Sequence, residues 1–167
     1  IVGASLGAFM AVLNIQIVGA SLDDIRGAFG AGADDGSWIS TAYLVAEIVV
    51  IPLSAWLSKV FSPRRYLMVN AILFLAFSAA CAFAQTLEQM IVLRALQGLA
   101  GGVLIPMAFT LIITLLPPSR QPTGLALFGL TATLAPAVGP LIGGWLTAAW
   151  GWQYIFLVNL VPGTLML

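Results

Sequence analysis

Apolar runs about as long as a membrane is thick recur along this chain of 167 residues, separated by short polar or turn-rich pieces. A hydrocarbon core about 30 Å thick takes roughly 20 apolar residues in a helix. The runs predict spanning helices at Ile1–Ala20, Trp38–Leu57, Tyr66–Ala84, Met90–Leu116 and Thr123–Ala149, with the truncated start of a sixth at Tyr154–Leu167. Between them lie Ser21–Ser37, Ser58–Arg65, Gln85–Gln89, Pro117–Pro122 and Trp150–Gln153, all too short to be domains. The expected fold is therefore all-α, one polytopic bundle of about six transmembrane helices over residues 1–167. The third run is apolar on every face apart from Asn70, Ser78 and Cys81, so lipid can surround it. The first, second, fourth and fifth each carry a polar or glycine stripe. Two triplets of helices, each with a bland third member, would suit a repeat architecture.

Composition agrees with a membrane solvent. The chain is 61% hydrophobic and 7% charged, with a mean hydropathy of +1.08, where a globular domain carries roughly a quarter charged residues. It has no histidine and one cysteine, Cys81, inside an apolar run. This argues against an internal disulfide framework, a metal site or a haem. A net charge of zero gives nucleic acid no basic surface to read. No phosphate-binding G-x-x-x-x-G-K-[S/T] loop occurs, and no cofactor is expected. Ile1 already lies in hydrophobic sequence without a basic leader, which reads as a fragment whose start is missing.

The charges choose an orientation. Lys59, Arg64, Arg65 and Arg120 fall in the second and fourth connections, while the opposite side holds Arg26 with Asp23, Asp24, Asp34, Asp35 and Glu88. The positive-inside bias puts the basic connections, and the amino terminus, in the cytoplasm. Trp38, Trp56, Trp150 and Trp152 stand at run ends, as interfacial anchors do.

Few residues inside the runs carry chemistry. Glu47 is the one carboxylate there, and Ser40, Tyr43 and Ser54 share its stripe at helical spacing. A charge near the bilayer centre costs roughly 2.5–3.5 kcal/mol on insertion scales, so Glu47 must face protein or a water-filled cavity. Such a group can exchange a proton for another ligand; alternatively it is a structural carboxylate bound to a neighbouring helix. Arg94 is the matching cation, on a face with Gly98, Gly101 and Gly102. It keeps its proton, so it acts on Glu47 across a shared aqueous chamber or ties helices together through backbone carbonyls. Gln97, Gly98 and Gly102 are assigned to close helix packing. Asn14, on the stripe of Gly3, Gly7 and Ile17, is interhelical glue or a substrate contact. The stretch A-P-A-V-G-P-L-I-G-G, Ala135–Gly144, breaks the rules for a soluble helix, since an interior proline removes a hydrogen bond and crowds the carbonyl four residues back. Inside a bilayer the helix persists. Pro136, Gly139, Pro140 and Gly143, with Gly144 beside them, predict a kinked helix whose bare face packs on a neighbour and gates.

These strings together resemble the major facilitator superfamily, specifically its fourteen-helix drug:proton antiporters of the EmrB/QacA type, in their amino-terminal half. L-R-A-L-Q-G-L-A-G-G, Leu93–Gly102, looks like the family's fourth-helix motif, and Ala135–Gly144 like its antiporter motif. Pro52–Arg65 resembles the cytoplasmic motif between helices two and three, with Lys59, Arg64 and Arg65 at its basic end. Trp150–Gly163 is similar to the entry into helix six. Two departures stand out. Ala55, Lys59 and Ser62 replace the loop motif's usual glycine, aspartate and glycine. Asn14 stands where the exporters typically carry an aspartate, which makes Glu47 the substitute proton carrier.

The resemblance implies an inner-membrane, proton-coupled multidrug exporter rather than an enzyme. Its partners would be protons, an amphipathic or cationic small molecule, membrane lipid, and a periplasmic adaptor with an outer-membrane channel. An uptake symporter or facilitator of the same fold, and a non-transporting membrane scaffold, stay open as rivals. The fragment alone is expected to transport nothing, because alternating access needs a second bundle to rock against.

Overall fold

A computed structural model describes residues 1–166, and every regular element among them is an α-helix. Five helices are long and apolar enough to cross a membrane: α1 Val2–Ala20, α3 Ala33–Val60, α4 Pro63–Ala82, α5 Leu87–Leu115 and α6 Gln121–Trp150. Short helices complete the chain: α2 Leu22–Phe29, α7 Tyr154–Leu157 and α8 Leu160–Met166.

The polar stretch expected to be an outer loop is largely helical. α2 stops at Gly30, which adopts φ +61° while Ala31 N–H donates to the Arg26 carbonyl. Glycine takes that left-handed conformation without a side-chain penalty. α3 then starts five residues before Trp38, with Asp34 and Asp35 in its first turn, where acidic groups meet the positive end of the helix dipole. Hydropathy detects only the part of a helix that needs lipid, so these polar extensions escape it. At the other end α3 runs on to Val60, and Pro63 opens α4 at a position where a missing N–H costs nothing. Lys59, Arg64 and Arg65 are thus helical, and the loop they were assigned to shrinks to Phe61–Ser62.

α5 begins with a reciprocal cap. Thr86 Oγ1 accepts from Gln89 N–H at 3.2 Å, and Gln89 Oε1 accepts from Gln85 N–H at 3.0 Å. The sixth predicted run divides into α7 and α8. Pro162 has no N–H for the Val158 carbonyl, which instead accepts from Val161 at 3.3 Å. Leu167, the predicted end of this run, lies outside the described residues.

α5 is the central element. It packs along α3 on one side and α4 on another, and also meets α1 and α6, while α1 carries α6. α3 and α4, consecutive in sequence, scarcely touch each other. The core holds Tyr43, Phe74, Val103, Leu104 and Met107 in one cluster, and Ile17, Ile39, Met90, Ile155 and Phe156 in a second.

Candidate functional site

Two glycine seams bring the functional helices together. Gly98 of α5 faces the Tyr43 carbonyl so closely that a β-carbon there would collide with backbone, and one at Gly102 would lie 2.8 Å from the Glu47 carbonyl oxygen. In α6, a β-carbon at Gly143 would come within 2.8 Å of the Ile17 carbonyl, and one at Gly139 within 2.5 Å of Gln16 Cβ. Such small-residue contacts let backbones approach where lipid supplies no hydrophobic drive.

The seam along Ala135–Gly144 is narrower than the motif predicts. The buried stripe of α6 runs through Ala135, Gly139, Gly143 and Leu146. Pro136 is only half-buried and Pro140 is exposed, because each stands one residue, or 100°, round the helix from that stripe. Gly144 is exposed, and a β-carbon there would meet nothing among the described residues.

Where α1, α3 and α5 converge, Arg94 is 1% exposed. Its Nη1 donates to Asn14 Oδ1 and to Gln97 Oε1, both at 2.6 Å, and its Nε donates to the Ile39 carbonyl at 3.3 Å. The guanidinium lies 4.1 Å from the centre of the Tyr43 ring, a cation–π arrangement. The Cys81 sulfur sits 3.9 Å from the same Gln97 oxygen. Charge-assisted bonds of this length are the strong class, and here neutral oxygens provide them. Arg94 and Glu47 form no ion pair; the one salt bridge among the described residues joins Arg26 to Asp23 at the bundle's end. The direct bonds of Arg94 outside its own helix go to α1 and α3, clamping both to α5.

Glu47 sits on the buried face of α3, 6% exposed, with Tyr43, Ala46, Val50 and Ser54 on the same stripe. Its Oε1 is buried and has no hydrogen-bond partner, as are the Tyr43 hydroxyl, Asn14 Nδ2 and Gln97 Nε2. Tyr43, Asn14 and Gln97, all against the buried guanidinium, and Glu47 one turn beyond Tyr43 thus keep unused hydrogen-bonding capacity, in an interior where an unmade hydrogen bond is costly. Ser54 spends its hydroxyl locally on the Ile51 carbonyl at 2.6 Å.

Sequence reasoning gave Gln97 only a packing role and Tyr43 none beyond the stripe. The available signal was spacing: Gln97 is one turn beyond Arg94 on the same face. A second polar set went unread. Ser78 Oγ donates to the Phe156 carbonyl at 2.8 Å and accepts from Asn159 Nδ2 at 2.9 Å. These bonds serve backbone left over where the chain breaks between α7 and α8.

A family model described as Major Facilitator Superfamily matches residues 4–167. The chain is 42% identical over 160 residues to the colistin resistance protein EmrB of Acinetobacter baumannii, covering 96% of this chain and 31% of that protein. It is 35% identical over 159 residues to the multidrug export protein EmrB of Haemophilus influenzae, again covering 31% of the relative and 95% of this chain. Among solved structures, a D-xylose–proton symporter superposes with a TM-score of 0.83 at 15% identity, over 99% of this chain and 45% of that one. At that identity the likeness speaks for the fold. The chain spans less than a third of the length of these two relatives.

Proposed function

The chain belongs to the Major Facilitator Superfamily, and from that premise we propose that it is the amino-terminal bundle of a proton-coupled exporter of drugs or other amphipathic compounds. It is a multi-pass membrane protein in a family of transporters. The proposal extends to an inner-membrane location, a cytoplasmic amino terminus set by Lys59, Arg64, Arg65 and Arg120, and a periplasmic adaptor with an outer-membrane channel as partners. The similarity to the Haemophilus multidrug export protein supports the direction of transport.

The observation that carries the mechanism is the buried Glu47 oxygen, unpartnered and without a counter-ion at mid-helix. Charge held at that depth is costly, and proton uptake removes it. Occupancy of Glu47 then follows the side to which the carboxyl opens. Arg94, clamped by Asn14 and Gln97, holds α1, α3 and α5 as one body around it. The antiporter-motif helix, with Gly139 and Gly143 on α1, supports rocking against a second bundle. One charge crossing 100 mV releases about 2.3 kcal/mol, enough for roughly a fiftyfold gradient. Glu47→Gln in the full-length protein should abolish proton-driven efflux from everted vesicles while leaving membrane insertion unchanged. Efflux at the wild-type rate with an unchanged pH profile would overturn the role given to Glu47.

A further inference from the structure

α3 and α4 both lean on α5 yet diverge from one another, which leaves a groove of about 630 Å³ open on the bundle's side. Its walls are Val50, Leu53 and Leu57 of α3 against Val69, Leu73 and Phe77 of α4, and Leu96, Leu99 and Ala100 of α5 form the floor. Leu53, Val69, Leu73 and Leu99 are exposed there. The groove ends at the Phe61–Ser62 turn, where Phe61 stacks on Tyr66 with ring centres 6.4 Å apart and Arg65 enters the lining.

Three features identify what this groove is shaped to take. From Tyr66 to Phe77 the α4 wall rises about 16 Å at 1.5 Å per residue. That is about half of a 30 Å hydrocarbon core, the depth of one leaflet. The wall is apolar except for Asn70, whose amide donates to the Tyr66 carbonyl at 2.8 Å, and it is cationic only at the membrane surface. Residues 58–66 hold Lys59, Arg64 and Arg65 with no acidic residue among them, and Arg65 has no ion pair among the described residues. We infer that the groove between α3 and α4 binds an anionic phospholipid, an acyl chain lying on Leu73, Leu96 and Leu99 and the headgroup phosphate on Arg65. A basic residue at a membrane surface is attracted to anionic lipid by an amount equivalent to about fivefold in affinity, and a guanidinium matches phosphate in a bidentate fork.

Arg64 provides an internal control. It is adjacent to Arg65 and also exposed, but it lines a different groove with Ile1, Gly3, Leu67, Leu115 and Met166. The full-length protein, purified in mild detergent with equimolar phosphatidylglycerol and phosphatidylcholine of identical chains, is examined by native mass spectrometry. The wild type should retain phosphatidylglycerol about fivefold over phosphatidylcholine. Arg65→Gln should bring that ratio to about one, and Arg64→Gln should leave it unchanged. Leu73→Trp, filling an exposed wall position, should lower retention of both lipids in a protein that stays monodisperse. Equal retention of the two lipids by the wild type overturns the inference. So does an equal loss of preference in the two arginine variants, which would mark a diffuse surface field. A photoreactive residue at position 73 should label lipid in native membranes; a cross-link to another part of the same chain would show protein covering the groove and would also overturn it.

Discussion

Arg94 and Asn14, eighty positions apart, meet at 2.6 Å across the contact between α5 and α1. The acceptor is an uncharged amide oxygen, so this bond holds the guanidinium without supplying a counter-charge. It also fixes how far α1 stands from α3, because the same guanidinium reaches the Ile39 carbonyl.

Removing that acceptor should loosen the bundle. Asn14→Ala leaves a buried cation with one side-chain partner fewer, a loss of about 1–3 kcal/mol by the usual cost of an unmade buried hydrogen bond. Asn14→Asp, which restores an acceptor and adds a counter-charge, should melt higher than Asn14→Ala. Fluorescence-detected thermal unfolding of the detergent-solubilised full chain would rank the three; an alanine variant as stable as the wild type would show that the bond contributes nothing.

Arg94→Lys keeps the charge but not the geometry. A guanidinium can serve Asn14, Gln97 and the Ile39 carbonyl from one planar fork, whereas an ammonium is a point donor on a flexible stem. The variant should insert, unfold at a lower temperature, and export more slowly than the wild type. Wild-type stability and wild-type efflux together would reduce Arg94 to a generic positive charge.

The adjacent glycines Gly143 and Gly144 should respond in opposite ways. Alanine at 143 must fit a methyl within 2.8 Å of the Ile17 carbonyl, so α1 and α6 have to separate. Alanine at 144 meets nothing and gains up to about 1 kcal/mol of helix propensity. Melting temperatures of the two variants, measured side by side, should fall below and at or above the wild type respectively.

Ser78→Ala strips the hydroxyl that bonds both the Phe156 carbonyl and Asn159. We expect a loss of about 1–3 kcal/mol, because two buried groups lose partners at once. Hydrogen exchange should also rise across 154–163 while α5 stays protected; unchanged exchange there would mean the break is held by packing alone.

Much of this architecture was legible in the chain. The apolar runs located α1, α3, α4, α5 and α6, since lipid imposes a length and a composition that a sequence cannot disguise. The glycine spacing of Gly98 and Gly102 signalled a close helix contact, though not that Tyr43 and Glu47 lay opposite. What escaped depends on rotation and on partners. Pro140 and Gly144 look like members of one motif until the helix turns them away from Gly139 and Gly143. The pairing of Asn14 with Arg94 follows from how α1 leans on α5, which no local pattern encodes. Ser78 reads as one exception in an apolar run and Asn159 carries no reading of its own, because their purpose lies in a backbone break elsewhere.

Mounting α1, α3 and α4 on α5 concentrates the bundle's vulnerability in a single rod. An altered side chain on an outer helix disturbs one neighbour, and the rest can hold their places. An altered side chain along the inner surface of that rod disturbs several neighbours together, so room for innovation in this protein lies on its periphery, away from its axle.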